Sequence, residues 1–399
     1  MLRVVSICRT LPTPDRPGAG IFVFNRLRAM SRMSNLTILQ PIPYFPLLRP
    51  IPNWGRGPSH REQEVNILHE PMFYVPGIMK ALDGRWLARS VVRRVSQWQH
   101  RAPIDLLDAH FGYPDGVGCV IAARRLGIPV FVTIRGLEAE RVKQPALRAQ
   151  IVKSMNAANG CISVSYALRD TMIANGVDAN LVSVIPNAID RQLFRPGGRA
   201  AMRARLGVDN NEALIVSVGH LISGKRHGVL INALARMASS ERRVSLAIIG
   251  GVDYEQDHAR ILIELVRALN LTNRVRFVGG VHPEVVAQWL QAADVFALAT
   301  AREGCCNAVL ESLASGLPVV TTPVGDNPRY VNAGVNGFLV PVDDADAMAA
   351  GLTAALERSW DRERISNGLK VGSWGDVARE VLDYFNERLA AAKTRLAPV

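Results

Sequence analysis

The chain is expected to be α/β, with two doubly wound domains of similar size, and three observations lead there. Apolar runs of strand length recur in two series. The first is Arg3–Cys8, Leu36–Gln40, Asp105–His110, Val130–Arg135, Cys161–Ser165 and Val182–Pro186. The second is Ala213–Gly219, Val244–Gly250, Val275–Gly279, Asp294–Ala299, Pro318–Thr322 and Phe338–Val342. Helical patterns separate most of them, the alternation that builds parallel sheets covered by helices. The 399 residues, 48% of them hydrophobic, can bury two cores. Between the series, Phe194-Arg-Pro-Gly-Gly198 has the turn residues of a linker, which sets domains at 1–195 and 196–373. In such sheets ligands sit beyond the carboxyl ends of the strands, here in a cleft between the domains.

In the first domain, Pro12-Thr-Pro-Asp-Arg-Pro-Gly-Ala-Gly-Ile-Phe22 joins strand one to a helix. Gly18 and Gly20 would let backbone approach a phosphate, or simply turn the chain; the pattern is not GxGxxG. Pro41-Ile-Pro-Tyr-Phe-Pro-Leu-Leu-Arg-Pro-Ile-Pro-Asn-Trp54 has too much proline for a helix or central strand and is expected to be irregular. Arg85–Trp98 reads as an amphipathic helix, with Trp86, Leu87, Val91, Val95 and Trp98 on one side and Arg85, Arg89 and Arg93 on the other. Such a helix either lies on a membrane surface or covers a sheet. Asp105-Leu-Leu-Asp-Ala-His110 ends a strand in polar groups, with His110 either structural or turned to a ligand.

The second domain opens with Gly219-His-Leu-Ile-Ser-Gly224-Lys225, which fits GxxxxGK after a strand and before a helix. Arg226 follows where a P-loop needs a hydroxyl for Mg²⁺, against a P-loop nucleotide hydrolase. Farther on comes Glu303-Gly-Cys-Cys-Asn-Ala-Val-Leu-Glu311, a loop and the first turns of a helix over about Cys306–Ala314, stopped by Gly316 and Pro318. The unpaired N–H groups of that helix end suit a diphosphate. Glu311 lies roughly 6–8 Å farther along, where a carboxylate meets the two hydroxyls of a ribose. The competing reading makes both Glu303 and Glu311 solvated helix-end residues. Asp344-Ala-Asp346 resembles a metal-binding DxD but precedes a helix at Ala347–Leu356, which makes it an N-cap.

These motifs resemble the retaining glycosyltransferases of family 4, whose signature is Glu-x7-Glu. The resemblance extends to Thr322-Pro-Val-Gly-Asp-Asn327, Asn336-Gly-Phe-Leu-Val-Pro341, Val275–Pro283 and Val184–Asp190, and covers most of residues 1–390. Asp105–Gly116 and Val132–Gly136 resemble a subgroup that makes bacterial surface polysaccharides of the teichuronic-acid type. The resemblance implies the GT-B fold, two Rossmann-like domains facing a central cleft, with a last helix from Trp374 to 399 packed back on the first. It implies a nucleoside-diphosphate sugar as donor substrate, a glycan or lipid-linked acceptor, and neither cofactor nor metal. Glu303 would orient the sugar, and Glu311 would hold the ribose. Lys225, His220 and the backbone at Cys306 and Asn307 would meet the diphosphate, which Gly18 and Gly20 border. His110 and Arg135 would sit by the donor sugar. Two positions depart from the family: His220 stands for its usual Arg, and Arg135 for its usual His. Those two departures are the only support for the alternative reading, a nucleotide-sugar-binding protein that keeps the fold without catalysis.

Composition narrows the rest. The net charge is +12 and the pI about 10.0, yet only six of the 47 basic residues are Lys. No nucleic-acid module accompanies the charge, so an anionic membrane surface is the expected basic-charge partner. No apolar run reaches the length of a membrane span, and the N-terminus reads as a strand rather than a signal peptide. Five Cys without a paired CxxC pattern fit reduced thiols in the cytoplasm.

Overall fold

The structure, a computed structural model, describes residues 1–13, 18–46, 48–52, 60–62, 65–237, 243–252 and 256–396. The chain divides into two compact units, Met1–Ala188 with Gly372–Val399, and Ile189–Val371. Both are parallel-sheet α/β units of Rossmann type. The division falls at Ala188, ahead of the Pro196–Gly198 stretch, because Ile189 and Phe194 are buried in the core of the second unit.

The first unit holds β1 (Arg3–Ile7), β2 (Asn35–Tyr44), β3 (His60–Glu62), β4 (Val65–Phe73), β5 (Leu106–His110), β6 (Val130–Ile134), β7 (Gly160–Ser163) and β8 (Val182–Val184). Their order is β3-β4-β2-β1-β5-β6-β7-β8, all parallel except β3 against β4. Every residue of β5 and β6 is buried, as for strands with helices on both faces. The closing helix, Trp374–Leu396, packs on the helix Ile21–Ser31, and Val381 and Phe385 enter the core beside Phe131. Residues 397–399 of the expected last helix lie outside the described residues.

One expectation fails here, and one open alternative resolves. The proline-rich segment is not irregular at its start, since β2 runs through Pro41 and Pro43. β1 pairs with β2 only as far as Leu39, whose carbonyl accepts from Cys8 N. Beyond that point only β4 flanks β2, from Ile38 to Tyr44. Backbone groups at 41 and 43 face the same side as those of Leu39, so both missing N–H groups fall where no ladder is made. The end of that segment, from 53, lies outside the described residues. The amphipathic helix, Asp83–Gln99, spends its apolar face inside the unit: Leu87, Val91 and Val95 are buried, and the helix packs on β4 and on the helix Val117–Leu126. Arg93 and Arg94 both pair with the buried Glu70. This helix covers a sheet, and its apolar stripe is not available to a membrane.

The second unit holds β9 (Ala213–Val218), β10 (Val244–Ile249), β11 (Val275–Gly279), β12 (Val295–Leu298), β13 (Val319–Thr321) and β14 (Gly337–Leu339), ordered β11-β10-β9-β12-β13-β14 and parallel throughout. Two apolar clusters fill its two faces. Chain order reverses between β9 and β12, which makes the space beyond their carboxyl ends the crevice where such sheets take ligands.

Candidate functional site

In the second unit the loop after β9 and the loop after β12 lie side by side. Gly219 packs against the Lys225 stem, and a Cβ on Gly219 would stand 3.2 Å from that side chain. The Gly219 carbonyl is enclosed as well, since a Cβ on Gly250 would come within 1.9 Å of it. His227, the first residue of the helix His227–Arg236, is 0% exposed, and its Nε2 lies 3.2 Å from both the Gly219 and His220 carbonyl oxygens. Two acceptors there require Nε2 to carry the proton, and burial pushes the imidazole down to about 4, so it stays neutral. The loop is thereby fixed with the Lys225 ammonium 2.7 Å from Glu303 Oε1, although the two residues are 78 positions apart.

The Glu303 side is stitched from its own unit. Ala301 N donates to the Gly224 carbonyl at 3.0 Å, and Thr322 Oγ1 donates to the Thr300 carbonyl. Gly325, at φ 56, lets backbone pass so close that a Cβ would sit 3.1 Å from the Glu303 carbonyl oxygen. Asn327, fully buried, donates from Nδ2 to Thr321 Oγ1 and the Thr322 carbonyl and holds that turn.

The helix that follows Glu303 and carries Glu311 spans Asn307–Ala314, and Gly316 ends it at φ 75 with Leu317 N donating back to the Ser312 carbonyl. The Asn307 N–H is taken by the Cys305 carbonyl, so the expected contribution of that amide passes to Ala308 and Val309. Their N–H groups meet no acceptor among the described residues. The Cys306 side chain is buried beneath the helix start. Glu311 keeps part of its surface, its carboxylate meets no donor among the described residues, and burial pushes it up to about 8. His220 is exposed and contributes only its carbonyl. Arg226 adopts φ 53 and pairs with Asp343 at 2.8 Å, leaving no hydroxyl where a P-loop holds Mg²⁺. Asp344 caps its helix through Ala347 N at 2.8 Å.

In the first unit, the ends of β1, β5 and β6 carry a buried polar cluster. Asp108, within β5, accepts from Ser6 Oγ at 2.8 Å and from Arg26 Nη2 at 3.2 Å. His110 Nε2 is 3.1 Å from Asp108 Oδ2, and Nδ1 is 3.3 Å from Arg135 Nε. Nδ1 therefore accepts and Nε2–H faces the carboxylate. Burial keeps this imidazole neutral. His110 is 0% exposed and presents no surface to a ligand, which corrects the expectation that it touches the donor; it orients Arg135 instead. Arg135 keeps some exposure and also donates to Asn187 Oδ1. Glu138, which sequence reasoning passed over, is buried and accepts from the N–H groups of Gly112, Arg135 and Gly136. Gly20 is required by space, since a Cβ would stand 1.9 Å from the Thr10 carbonyl oxygen, whereas Gly18 has nothing within 4 Å. Residues 14–17 of that loop lie outside the described residues.

Residues 198–370 match the family model described as glycosyl transferases group 1, and residues 51–193 match glycosyltransferase family 4. The chain is similar to the D-inositol 3-phosphate glycosyltransferase of Frankia alni, 31% identical over 310 residues, 72% of this chain and 75% of that one. The enzyme of the same name from Geodermatophilus obscurus is 29% identical over 328 residues, 74% and 69% of the two chains. Among solved structures, sucrose-phosphate synthase from Thermosynechococcus elongatus superposes with a TM-score of 0.79 at 19% identity, over 98% of this chain and 100% of that one. Anabaena HepE in complex with UDP-glucose gives 0.73 at 21%, over 99% and 100%. Both share the GT-B fold with this chain.

Proposed function

The chain belongs to the group 1, family 4 glycosyltransferases, and from that premise we propose that it transfers a sugar from a nucleoside-diphosphate sugar with retention of configuration and without a metal. The acceptor is a glycan or lipid-linked saccharide at an anionic membrane surface, and the product is cell-surface polysaccharide. The observation that carries the reading is the Lys225–Glu303 pair at 2.7 Å, beside a helix end with open N–H groups. Lys225 is partly exposed, so its ammonium can turn from Glu303 to diphosphate oxygens. Negative charge grows on those oxygens as the sugar leaves, and a fixed cation there favours the transition state over the ground state. Glu303 then takes the sugar hydroxyls, and Glu311 takes the ribose. The leaving phosphate accepts the proton of the incoming hydroxyl on the same face. Among the described residues no three His, Cys, Asp or Glu converge as metal ligands. The relatives' names add a second acceptor class, a phosphorylated polyol, and a chain of net charge +12 suits its phosphate.

The test is transfer and hydrolysis of UDP-, GDP-, ADP- and dTDP-sugars by the wild type and Lys225→Ala. Turnover of one donor class is expected, falling by roughly 10²–10³ in the variant. Retention of more than about a tenth of turnover by a folded Lys225→Ala would remove Lys225 as the phosphate cation. An absolute requirement for Mg²⁺ or Mn²⁺ would remove the metal-independent mechanism.

A further inference from the structure

With the Asp83–Gln99 helix turned inward, the large apolar groups still exposed in the first unit among the described residues, Met1 and Leu137 apart, lie beyond the carboxyl ends of β2 and β4. Leu48 is 75% exposed at the tip of the turn that Phe45 and Arg49 close by exchanging backbone hydrogen bonds. Ile78 and Met79, 64% and 54% exposed, form a second tip between β4 and the helix, and Met79 is held at φ 54. A bulky side chain in that left-handed region is unfavourable, so water-facing Met79 is costly twice over. The tips belong to one surface. Phe73, at the end of β4, is half-exposed and stacks against Phe45 at 5.7 Å and Trp86 at 5.4 Å. Tyr74 beside it is covered by Arg49 and by the Lys80 ammonium, 4.7 Å from the ring centre.

Charge around this surface has one sign. Arg49, Lys80, Arg85 and Arg89 are exposed, and Arg89, three positions beyond Trp86, is its neighbour on the helix surface, which corrects the expectation that the two lie on opposite sides. Between residues 65 and 100 the carboxylates are Glu70 and Asp83, both buried. Glu70 is sealed under Arg93 and Arg94, and Asp83 faces Lys80 at 3.9 Å. Apolar tips inside a ring of cations match an anionic bilayer, with the tips entering the acyl boundary and the cations resting among headgroups.

We propose that Leu48, Phe73, Ile78 and Met79, ringed by Arg49, Lys80, Arg85 and Arg89, dock the protein on an anionic membrane. The inference extends the reading of a lipid-linked acceptor but does not depend on sugar transfer, because binding is measured without donor. The full chain is sedimented with vesicles of phosphatidylcholine alone and of phosphatidylcholine with phosphatidylglycerol, at low and high salt. Binding is expected to the phosphatidylglycerol vesicles, weaker at high salt, and weak to phosphatidylcholine at either. Ile78→Ser with Met79→Gly, the glycine suiting the left-handed backbone, is expected to weaken binding by roughly tenfold or more. Arg85→Ser with Arg89→Ser is expected to do the same and to flatten the salt dependence. Ile261→Ser with Ile263→Ser, exposed in the other unit, is the control and is expected to bind as wild type. Absence of binding to anionic vesicles, binding indifferent to the Ile78/Met79 pair, or equal binding to neutral vesicles would each overturn the proposal. So would a wild-type dimer that the Ile78/Met79 substitutions dissociate, since the surface would then serve a second copy of the chain.

Discussion

Burial pushes the Glu311 carboxyl up to about 8, because it disfavours the charge and no donor among the described residues offsets that cost. Hydroxyls that donate to it would favour the ionised form, so donor affinity should rise with pH and level off above about 8. Glu311→Gln should bind donor more weakly, by about 1–3 kcal/mol at pH 8, and show no such slope. Isothermal titration from pH 6 to 9 checks both, and a slope that survives in the variant would move the titration to another group. The empty protein carries the opposite dependence. Its raised carboxyl contributes stability that is complete below about 4.5 and lost as pH rises through about 8. His227 is the second residue on which the site leans. His227→Leu strands two carbonyl oxygens and should cost about 1–3 kcal/mol in thermal unfolding, together with turnover. His227→Gln keeps an N–H near the same point and should restore most of both. If the Gln and Leu variants are equally impaired, hydrogen bonding to the loop is not the role of His227. The sequence offered Lys225, Glu303 and Glu311 openly as candidates, because each sits in a recognisable spacing, Lys225 in GxxxxGK and the two Glu in Glu-x7-Glu. His227, Glu138 and Asn327 carry no such spacing, and their partners are backbone groups that only the folded chain brings near.

At the scale of elements, the strand–loop–helix units position the site through close backbone contacts rather than through side chains alone. Gly325 is the case nearest Glu303: its positive φ strains any other residue, and a methyl group there would press within 3.1 Å of the Glu303 carbonyl oxygen. Gly325→Ala should shift Glu303 away from Lys225 and lower kcat by roughly tenfold, while costing about 1 kcal/mol or more in stability. Steady-state kinetics with a thermal melt separate the two effects, and wild-type kcat in the variant would deny that this contact positions Glu303. Strand positions were legible because buried parallel strands are continuous apolar runs, such as Leu106–His110 and Val244–Ile249. β4 escaped notice because His69, Glu70 and Pro71 interrupt its run, and Glu70 is tolerated there only by its two arginine partners. β2 was cut short by its prolines, whose acceptability depends on where a neighbouring strand stops. The Asp83–Gln99 helix was drawn correctly, but periodicity cannot say which surface an apolar stripe meets.

For the whole molecule, the two series of strands predicted two sheets, and each series falls within one sheet, with β3 and β4 added to the first. Ownership of the chain ends was less visible, since Ile189 and Phe194 belong to the second core although the turn residues follow them. Separate cores predict separable unfolding. Phe385→Ala removes a fully buried ring stacked 4.5 Å from Phe131 and should cost the first unit about 3–5 kcal/mol. Calorimetry should show one transition moved down and the other in place; a single transition moved as a whole would mean that the units unfold together. The same ring bears on biosynthesis. A ribosome delivers residues in order, and the first unit lacks Val381, Tyr384 and Phe385 until the whole of the second unit has been made. The inserted unit, Ile189–Val371, has all of its strands before then. The portion translated first is thus the portion finished last, and the nascent chain carries an open seam over Phe131 and Ile162, for a chaperone to shield, until the final helix closes it.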